Sequence, residues 1–236
     1  MENIADHLHK KLNQNHDYFG STDLFIYNLN NNKSNKIVDG VISRPTWNGS
    51  AIIYSKRSVL PNKAGSRYFD LYQFNLISKK ETRLTKNLRA FSPVFSNIDS
   101  SIYYLSTYDG TQNIFKINLE TNTSEKITDF NNHEIINNLT YDNYNNQLLF
   151  DMTTNHNKTI YFLSLADSAL GKYIDADSWD ARNADAFNNG IVYSDDRSGV
   201  FNLYYIDTYK QGYVSNTNGG AFMHDYHTNG KLVYSH

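Results

Sequence analysis

The sequence has no cysteine, only 3 prolines, and no apolar run approaching the length of a membrane-crossing helix. The missing cysteine excludes disulfides, thiolate metal sites and a cysteine nucleophile, and does not by itself choose a compartment. Basic residues nowhere form a run, and 22 Lys and Arg against 24 Asp and Glu leave a formal charge of -2, which argues against a general nucleic-acid binder. The first twenty residues, MENIADHLHKKLNQNHDYFG, hold no apolar core and do not read as a secretory signal. G-x-S-x-G, H-E-x-x-H, Walker and dinucleotide glycine patterns are all missing. No catalytic residue, metal site or cofactor is therefore expected.

What is present is aromatic and repetitive. Tyr 19 and Phe 13 raise the aromatic share to 14%, a level that suits packed sheets. Asparagine supplies roughly one residue in seven and clusters where turns are expected, because it tolerates left-handed backbone. A short phrase returns five times, as DLFIYNL at Asp23–Leu29, DLYQFNL at Asp70–Leu76, NIFKINL at Asn113–Leu119, TIYFLSL at Thr159–Leu165 and NLYYIDT at Asn202–Thr208. The starts are roughly 47, 43, 46 and 43 residues apart, the period of propeller blades. Within each phrase residues alternate as a strand requires, with Tyr72, Phe74 and Leu76 on one face and Leu71, Gln73 and Asn75 on the other. The aromatics are read as packing between blades.

The other strands fall around each phrase. A second strand precedes it (Ala51–Ser55, Ile102–Ser106, Leu148–Asp151, Ile191–Ser194, Leu232–Ser235) and a weaker outer strand follows (Asn35–Val38, Glu81–Thr85, Ser124–Thr128, Gly171–Ile174, Gly212–Ser215). An inner strand opens each unit, clearest at Arg44–Trp47 and Ser92–Phe95, and Asn-Gly pairs such as Asn48-Gly49 and Asn229-Gly230 mark the hairpins. The expected fold class is all-β: a β-propeller of four-stranded antiparallel blades, about five visible. Four are complete, at about Pro45–Thr85, Pro93–Thr128, Asn137–Ile174 and Arg182–Ser215, and one is split between the chain ends. Residues 1–17 are expected to be a flexible N-terminal segment and 18–236 the propeller domain. The split blade allows two readings: a ring closed by its two end pieces, or a segment of a larger propeller, toward which the abrupt phase at both ends leans.

The stretch SPVFSNIDSSIYYLSTYDGTQNIFKINLETNTSEKIT at Ser92–Thr128 resembles the repeat of TolB-like β-propellers. The Ser-Pro start, the IYYLS strand, the Asp-Gly turn, the (N/D)-I-F-x-I-N-L strand and the (L/I)-T ending carry that resemblance. SDDRSGVFNLYYID around Ile191–Tyr205 and the endings ETRLT and SEKIT repeat it, while the blade holding Asn143–Gln147 and Asp151–Lys158 departs from it. The resemblance implies a bacterial, periplasmic or envelope-associated, non-catalytic scaffold for protein–protein interaction. Related propellers also accompany prolyl-oligopeptidase-like and tricorn-like proteases, so an accessory propeller gating substrate for a hydrolase domain outside this chain is the alternative.

Three clusters could carry other chemistry. His224 and His227 flank Asp225, but on a strand their imidazoles would face opposite ways. A propeller glycosidase would need two converging carboxylates; Glu81, Glu120 and Glu125 fall on outer hairpins, leaving Asp180 and Asp185 as the pair to test. Asp109-Gly110 and Asp195-Asp196-Arg197-Ser198-Gly199 read as turn-makers. Recognition is instead expected at the blade end that carries the long loop Lys56–Phe69, KRSVLPNKAGSRYF. The candidate partner-binding residues are Lys56, Arg57, Arg67, Tyr68 and Arg89 on a basic side, with Trp179 and Asp180 on an acidic one. The expected partner is a protein or peptide, with other domains of a larger parent protein as a further possibility.

Overall fold

The computed structural model describes residues 4–10, 22–28, 30–58, 65, 67–154, 156–226 and 232–235. Among them there is no helix, hence none long and apolar enough to cross a membrane. By compactness the chain divides into two units, Met1–Phe95 with Tyr103–Tyr108, and Ser96–Ile102 with Asp109–His236.

The first unit begins with β1 (Ile4–Lys10), β2 (Thr22–Asn28) and β3 (Lys33–Val41), then β4 (Thr46–Trp47), β5 (Ala51–Arg57), β6 (Phe69–Asn75) and β7 (Glu81–Arg83). They join in the order β1-β2-β3-β5-β6-β7, with β4 paired to β5. Next come β8 (Ala90–Ser96), β9 (Ser101–Ser106), β10 (Asn113–Asn118) and β11 (Ser124–Lys126), one four-stranded sheet in the order β11-β10-β9-β8. The second unit continues with β12 (Ile135–Asp142), β13 (Gln147–Thr154), β14 (Asn157–Ser164) and β15 (Leu170–Ile174). It follows with β16 (Ala181–Phe187), β17 (Gly190–Asp195), β18 (Asn202–Ile206) and β19 (Gln211–Tyr213) and ends on β20 (Phe222–Tyr226) and β21 (Leu232–Ser235), paired to each other. The all-β class and the four complete four-stranded blades are thus as expected, and the five phrases are β2, β6, β10, β14 and β18.

The phrase is conserved within the chain for two hydrogen-bonding reasons. Its first polar residue ties down the end of the outer strand. Buried Asn113 Oδ1 accepts from Thr128 Oγ1 at 2.9 Å and from the Phe130 amide at 2.7 Å, while Thr128 Oγ1 accepts from the Ile114 amide at 2.9 Å. Asp70 with Thr85, and Asn202 with Ser215, repeat the arrangement. Its penultimate residue caps the next turn: Asn75 Oδ1 accepts the amides of Ile77 and Ser78, Asn118 those of Glu120 and Thr121, and Asp207 those of Tyr209 and Lys210. Asn32, Lys79, Asn122 and Ser168 then take positive φ in the turns that follow the phrases. The abundance of asparagine serves this turn chemistry.

Packing occurs between blades, where the aromatics were expected. Tyr72, Phe74 and Leu76 pack with Leu24, Val38, Val41, Ile52 and Tyr54. In the second unit Leu149, Ile160 and Ile174 of one blade meet Ala181, Ala184, Ile191 and Tyr193 of the next. Strands β9 and β17 are buried at every residue; in β17 one face, Ile191 and Tyr193, packs on the preceding blade's Leu149, Ile160 and Ile174, and the other, Val192, with Leu203 and Ala221.

Candidate functional site

Antiparallel alternation sends the loop from second to third strand, and the loop from one blade to the next, to the same end of each blade. In the first unit that end carries the long connection from β5 to β6. Residues 59–64 and 66 of this loop lie outside the described residues. Its neck is closed by buried Ser58, whose amide donates to the Tyr68 carbonyl at 2.9 Å. Just outside the neck the Arg57 guanidinium lies 5.2 Å from the Phe69 ring centroid, and that of Arg89 lies 4.7 Å from the ring of Tyr68. Arg57, Arg67 and Arg89 are exposed, Tyr68 half-buried. Two guanidiniums therefore lie over aromatic rings, a cationic surface partly ordered before any contact.

Lys56 has a different task. Its Nζ lies 2.5 Å and 2.6 Å from the two carboxylate oxygens of Glu81 and 4.7 Å from the Tyr72 ring centroid. The Tyr54 hydroxyl donates to the same carboxylate; burial first, then that acidic partner, drives its pKa far above the ordinary phenol range. Lys56 thus locks its own blade's outer strand. Sequence inspection grouped it with the loop cations because cross-strand register decides where its side chain goes.

In the second unit Trp179 is half-buried, stacked on Tyr193 at 6.4 Å between centroids. Arg197 fills the space above it, with its guanidinium 4.4 Å from the Trp179 ring, 4.3 Å from Tyr204 and 6.0 Å from Tyr213. Fully buried Asp195 accepts from Arg197 Nη2 at 2.6 Å. The Asp-Asp-Arg-Ser-Gly segment is a turn, with the Gly199 amide on the Asp196 carbonyl, and its arginine also plugs an aromatic box of its own blade.

Asp180 receives the Lys158 amide on one carboxylate oxygen at 2.9 Å and the Arg182 guanidinium on the other at 2.5 Å. Asp185 is buried on β16, 3.6 Å from Nε2 of buried His224, which is 3.0 Å from the Val192 carbonyl oxygen. That carbonyl can only accept, so His224 carries a proton on Nε2. His227 lies outside the described residues. Asp180 has both oxygens committed to strand-end contacts, and this disfavours it as half of a glycosidase pair.

Asp151, which no local motif marks, is a further buried carboxylate of this unit. It ends the second-strand motif where Ser55 and Ser194 stand in other blades. Those serines donate to the carbonyls of Ala90 and Ala221, which open the following inner strands. A carboxylate cannot donate, so Asp151 Oδ1 instead accepts the Asn183 amide at 3.0 Å, two residues along. Its other oxygen is buried without a hydrogen-bond partner, as is Nε of Arg182. Burial raises the Asp151 pKa to about 6, against the opposing pull of the Asn183 amide, Lys158 and Arg182. Aligning the five second strands would have exposed the exchange of serine for aspartate.

Neither a protein-family model nor a curated protein matches the sequence. Solved structures do resemble the fold. TolB from Acinetobacter baumannii superposes with a TM-score of 0.66 at 16% identity, over 85% of this chain and 51% of TolB. The β-propeller domain of the Trilobed protease from Pyrococcus furiosus gives 0.60 at 11% identity, over 84% of this chain and 63% of that one. A chain of the nidogen/laminin complex gives 0.60 at 12% identity, over 80% and 69%. The protein has the β-propeller fold, and it spans about half the length of the TolB that it resembles.

Proposed function

We propose that the chain is a non-catalytic propeller scaffold that binds an acidic protein or peptide segment at the loop-rich end of its first unit. The observation that carries this reading is the pair of exposed guanidiniums, Arg57 and Arg89, ordered over Phe69 and Tyr68, with exposed Arg67 beside them. Arginine and tyrosine at a rigid loop neck are the residue types that dominate binding energy at protein interfaces, and arginine pairs with carboxylates through two parallel hydrogen bonds. The acidic side expected around Asp180 has its charge largely spent inside the fold, since Arg182 holds Asp180 and Lys172 holds Asp175. Recognition therefore centres on the basic cluster.

The fold shared with TolB, and a nidogen/laminin structure that holds a propeller with a protein partner, support a protein-binding scaffold; the TolB-like repeat at Ser92–Thr128 is the ground for expecting it at the cell envelope. Similarity to a protease propeller keeps the accessory-domain reading as the alternative. Binding of fluorescent acidic peptides, followed by anisotropy, tests the proposal. Arg57→Glu with Arg67→Glu is expected to abolish binding while the melting temperature stays unchanged, because neither residue anchors the core. Equal binding by the reversed variant, or none by the wild type, sinks the reading.

A further inference from the structure

The first unit has a second end, opposite its loop-rich one, where three turns of a single sheet come together. Val41 pairs with Lys56 at the loop-rich end, while Asn28 opposes Lys33 and Ala51 opposes Asn75 at the other. The turns 30–32 between β2 and β3, 48–50 between β4 and β5, and 76–80 between β6 and β7 therefore share that second end. The last two turns touch, since the Leu76 amide donates to the Ser50 carbonyl at 3.1 Å.

Both touching turns are fixed around an asparagine. Asn48 Oδ1 accepts the amides of Ser50 at 3.2 Å and Ala51 at 2.8 Å, and Asn75 Oδ1 those of Ile77 at 3.0 Å and Ser78 at 2.8 Å. The Asn75 amide closes its turn on the Lys80 carbonyl at 2.9 Å. With the backbone satisfied in this way, the side chains face outward. Ile77 is 86% exposed, and Trp47, the last residue of β4, is 37% exposed. Around them Lys33, Lys79 and Lys80 are exposed, and none of the three meets an acid among the described residues. Residues 30–33, 47–50 and 76–80 include no Asp or Glu. The adjoining Glu81 is already held by Lys56 and Tyr54. The corresponding turns of the second unit differ, with Glu120, Asp167 and Asp207 in them.

A single exposed isoleucine is ordinary, but one fixed in the open beside a tryptophan and lysines, with no acid between them, asks for a partner. The partner must offer negative charge at its surface and apolar material just beneath. Nucleic-acid phosphates would meet the lysines and leave Ile77 in water. A bilayer of anionic lipid offers both layers, with headgroups for the ammonium groups and the acyl boundary for tryptophan and isoleucine. We propose that this end of the first unit docks on an anionic lipid surface, with Ile77 and Trp47 entering the headgroup layer and Lys33, Lys79 and Lys80 meeting lipid phosphates. The surface lies at the opposite blade end from the basic neck, so neither proposal depends on the other.

Co-sedimentation of the full chain with vesicles tests this. Binding is expected to vesicles of equal phosphatidylglycerol and phosphatidylcholine, weakening as salt rises, with none to phosphatidylcholine alone. Lys79→Gln with Lys80→Gln should weaken it at least about 25-fold, at about fivefold for each lysine, and Ile77→Ser about tenfold. These side chains have no partner inside the fold among the described residues, so the melting temperature should stay unchanged. Arg57→Glu with Arg67→Glu should retain vesicle binding whatever it does to peptide binding, which separates this proposal from the one above. The chain has only 2 tryptophans, so in a Trp179→Phe background lipids brominated on the acyl chain should quench the emission of Trp47. The unsubstituted protein in the sedimentation assay reports even where that variant folds poorly. The proposal is overturned by no binding to anionic vesicles, by equal binding of the lysine variant, or by vesicle-bound protein whose Trp47 is not quenched. It is equally overturned by vesicle binding that only the Arg57 and Arg67 reversal removes, which would set the lipid at the other end.

Discussion

Replacing Asp151 by asparagine should stabilise the protein at neutral pH, and the gain should disappear in acid. The carboxyl is fully buried on β13 with one oxygen unpartnered, and its pKa stands at about 6 against an ordinary 3.8. Folding therefore favours the protonated form. The stability this group contributes is fully present below about pH 3.8 and is lost as pH rises through about 6. Above that range, holding the ion inside costs about 3 kcal/mol at about 1.4 kcal/mol for each pH unit of displacement. Asparagine keeps an acceptor for the Asn183 amide and carries no charge, so it imitates the neutral acid.

The expected gain at pH 7.5 is up to about 3 kcal/mol, which for a domain of this size is a rise of about 6 to 12 °C in melting temperature. By pH 4 the two proteins should unfold at nearly the same denaturant concentration. Paired urea titrations at pH 4, 5.5 and 7.5 measure the difference, in which every other titrating group cancels to first order. A difference independent of pH, or an asparagine variant weaker at pH 7.5 than at pH 4 relative to wild type, would falsify the reasoning. It would mean that Lys158 and Arg182 hold the ion better than burial opposes it. Asp151→Ser offers a second check, because Ser55 and Ser194 show the hydroxyl donating to the alanine carbonyl at this position.

Three further substitutions probe the repeat. Thr128→Val removes the hydroxyl that joins Asn113 to the Ile114 amide, leaving buried groups unsatisfied; a loss of about 1–3 kcal/mol is expected in denaturant unfolding, and no loss would show the tie to be dispensable. Arg197→Lys keeps the charge but loses the planar fit among Trp179, Tyr204 and Asp195, so stability should drop by about 1–2 kcal/mol with a shift in Trp179 emission. Gly190→Ala sets a methyl group onto the carbonyl of Ile206; a fall of at least about 2 kcal/mol in urea stability is expected, and tolerance of alanine would mean that β17 and β18 can part there.

Much of the fold was legible because the information is periodic. Five copies of one phrase fix where third strands lie, and the spacing of Asn-Gly and Asp-Gly turns fixes which neighbours they pair with. The phrase even names its own hydrogen bonds, since Asp70, Asn113 and Asn202 recur at its first position and Asn75, Asn118 and Asp207 at its sixth. Side-chain partnerships across strands were not legible. Lys56 reads as a loop cation until the β5–β6–β7 register sets it on Glu81, and Arg197 reads as a turn residue until Trp179, Tyr204 and Tyr213 are assembled around it. Those contacts join residues 7 to 25 positions apart on different strands and loops, which no single-strand pattern reports.

The same logic separates ornament from function in this chain. A charged residue of a repeat protein has two possible employers: the blade, which fixes its strands with it, or a partner, which is met at the loops. Each cation that the geometry ties to a buried or cross-strand acid belongs to the first class: Lys56 on Glu81, Arg83 on Asp70, Arg197 on Asp195. Arg57 and Arg89 stack on the rings beside them and remain exposed, and exposed Arg67 stands at the same neck. An ion pair at a blade's flank gains little from further contact, because its charge is already neutralised. A guanidinium ordered on an aromatic ring has already lost conformational freedom before any partner arrives. On the function proposed above, a charge reversal at Arg57 and Arg67 should act on binding and leave folding alone.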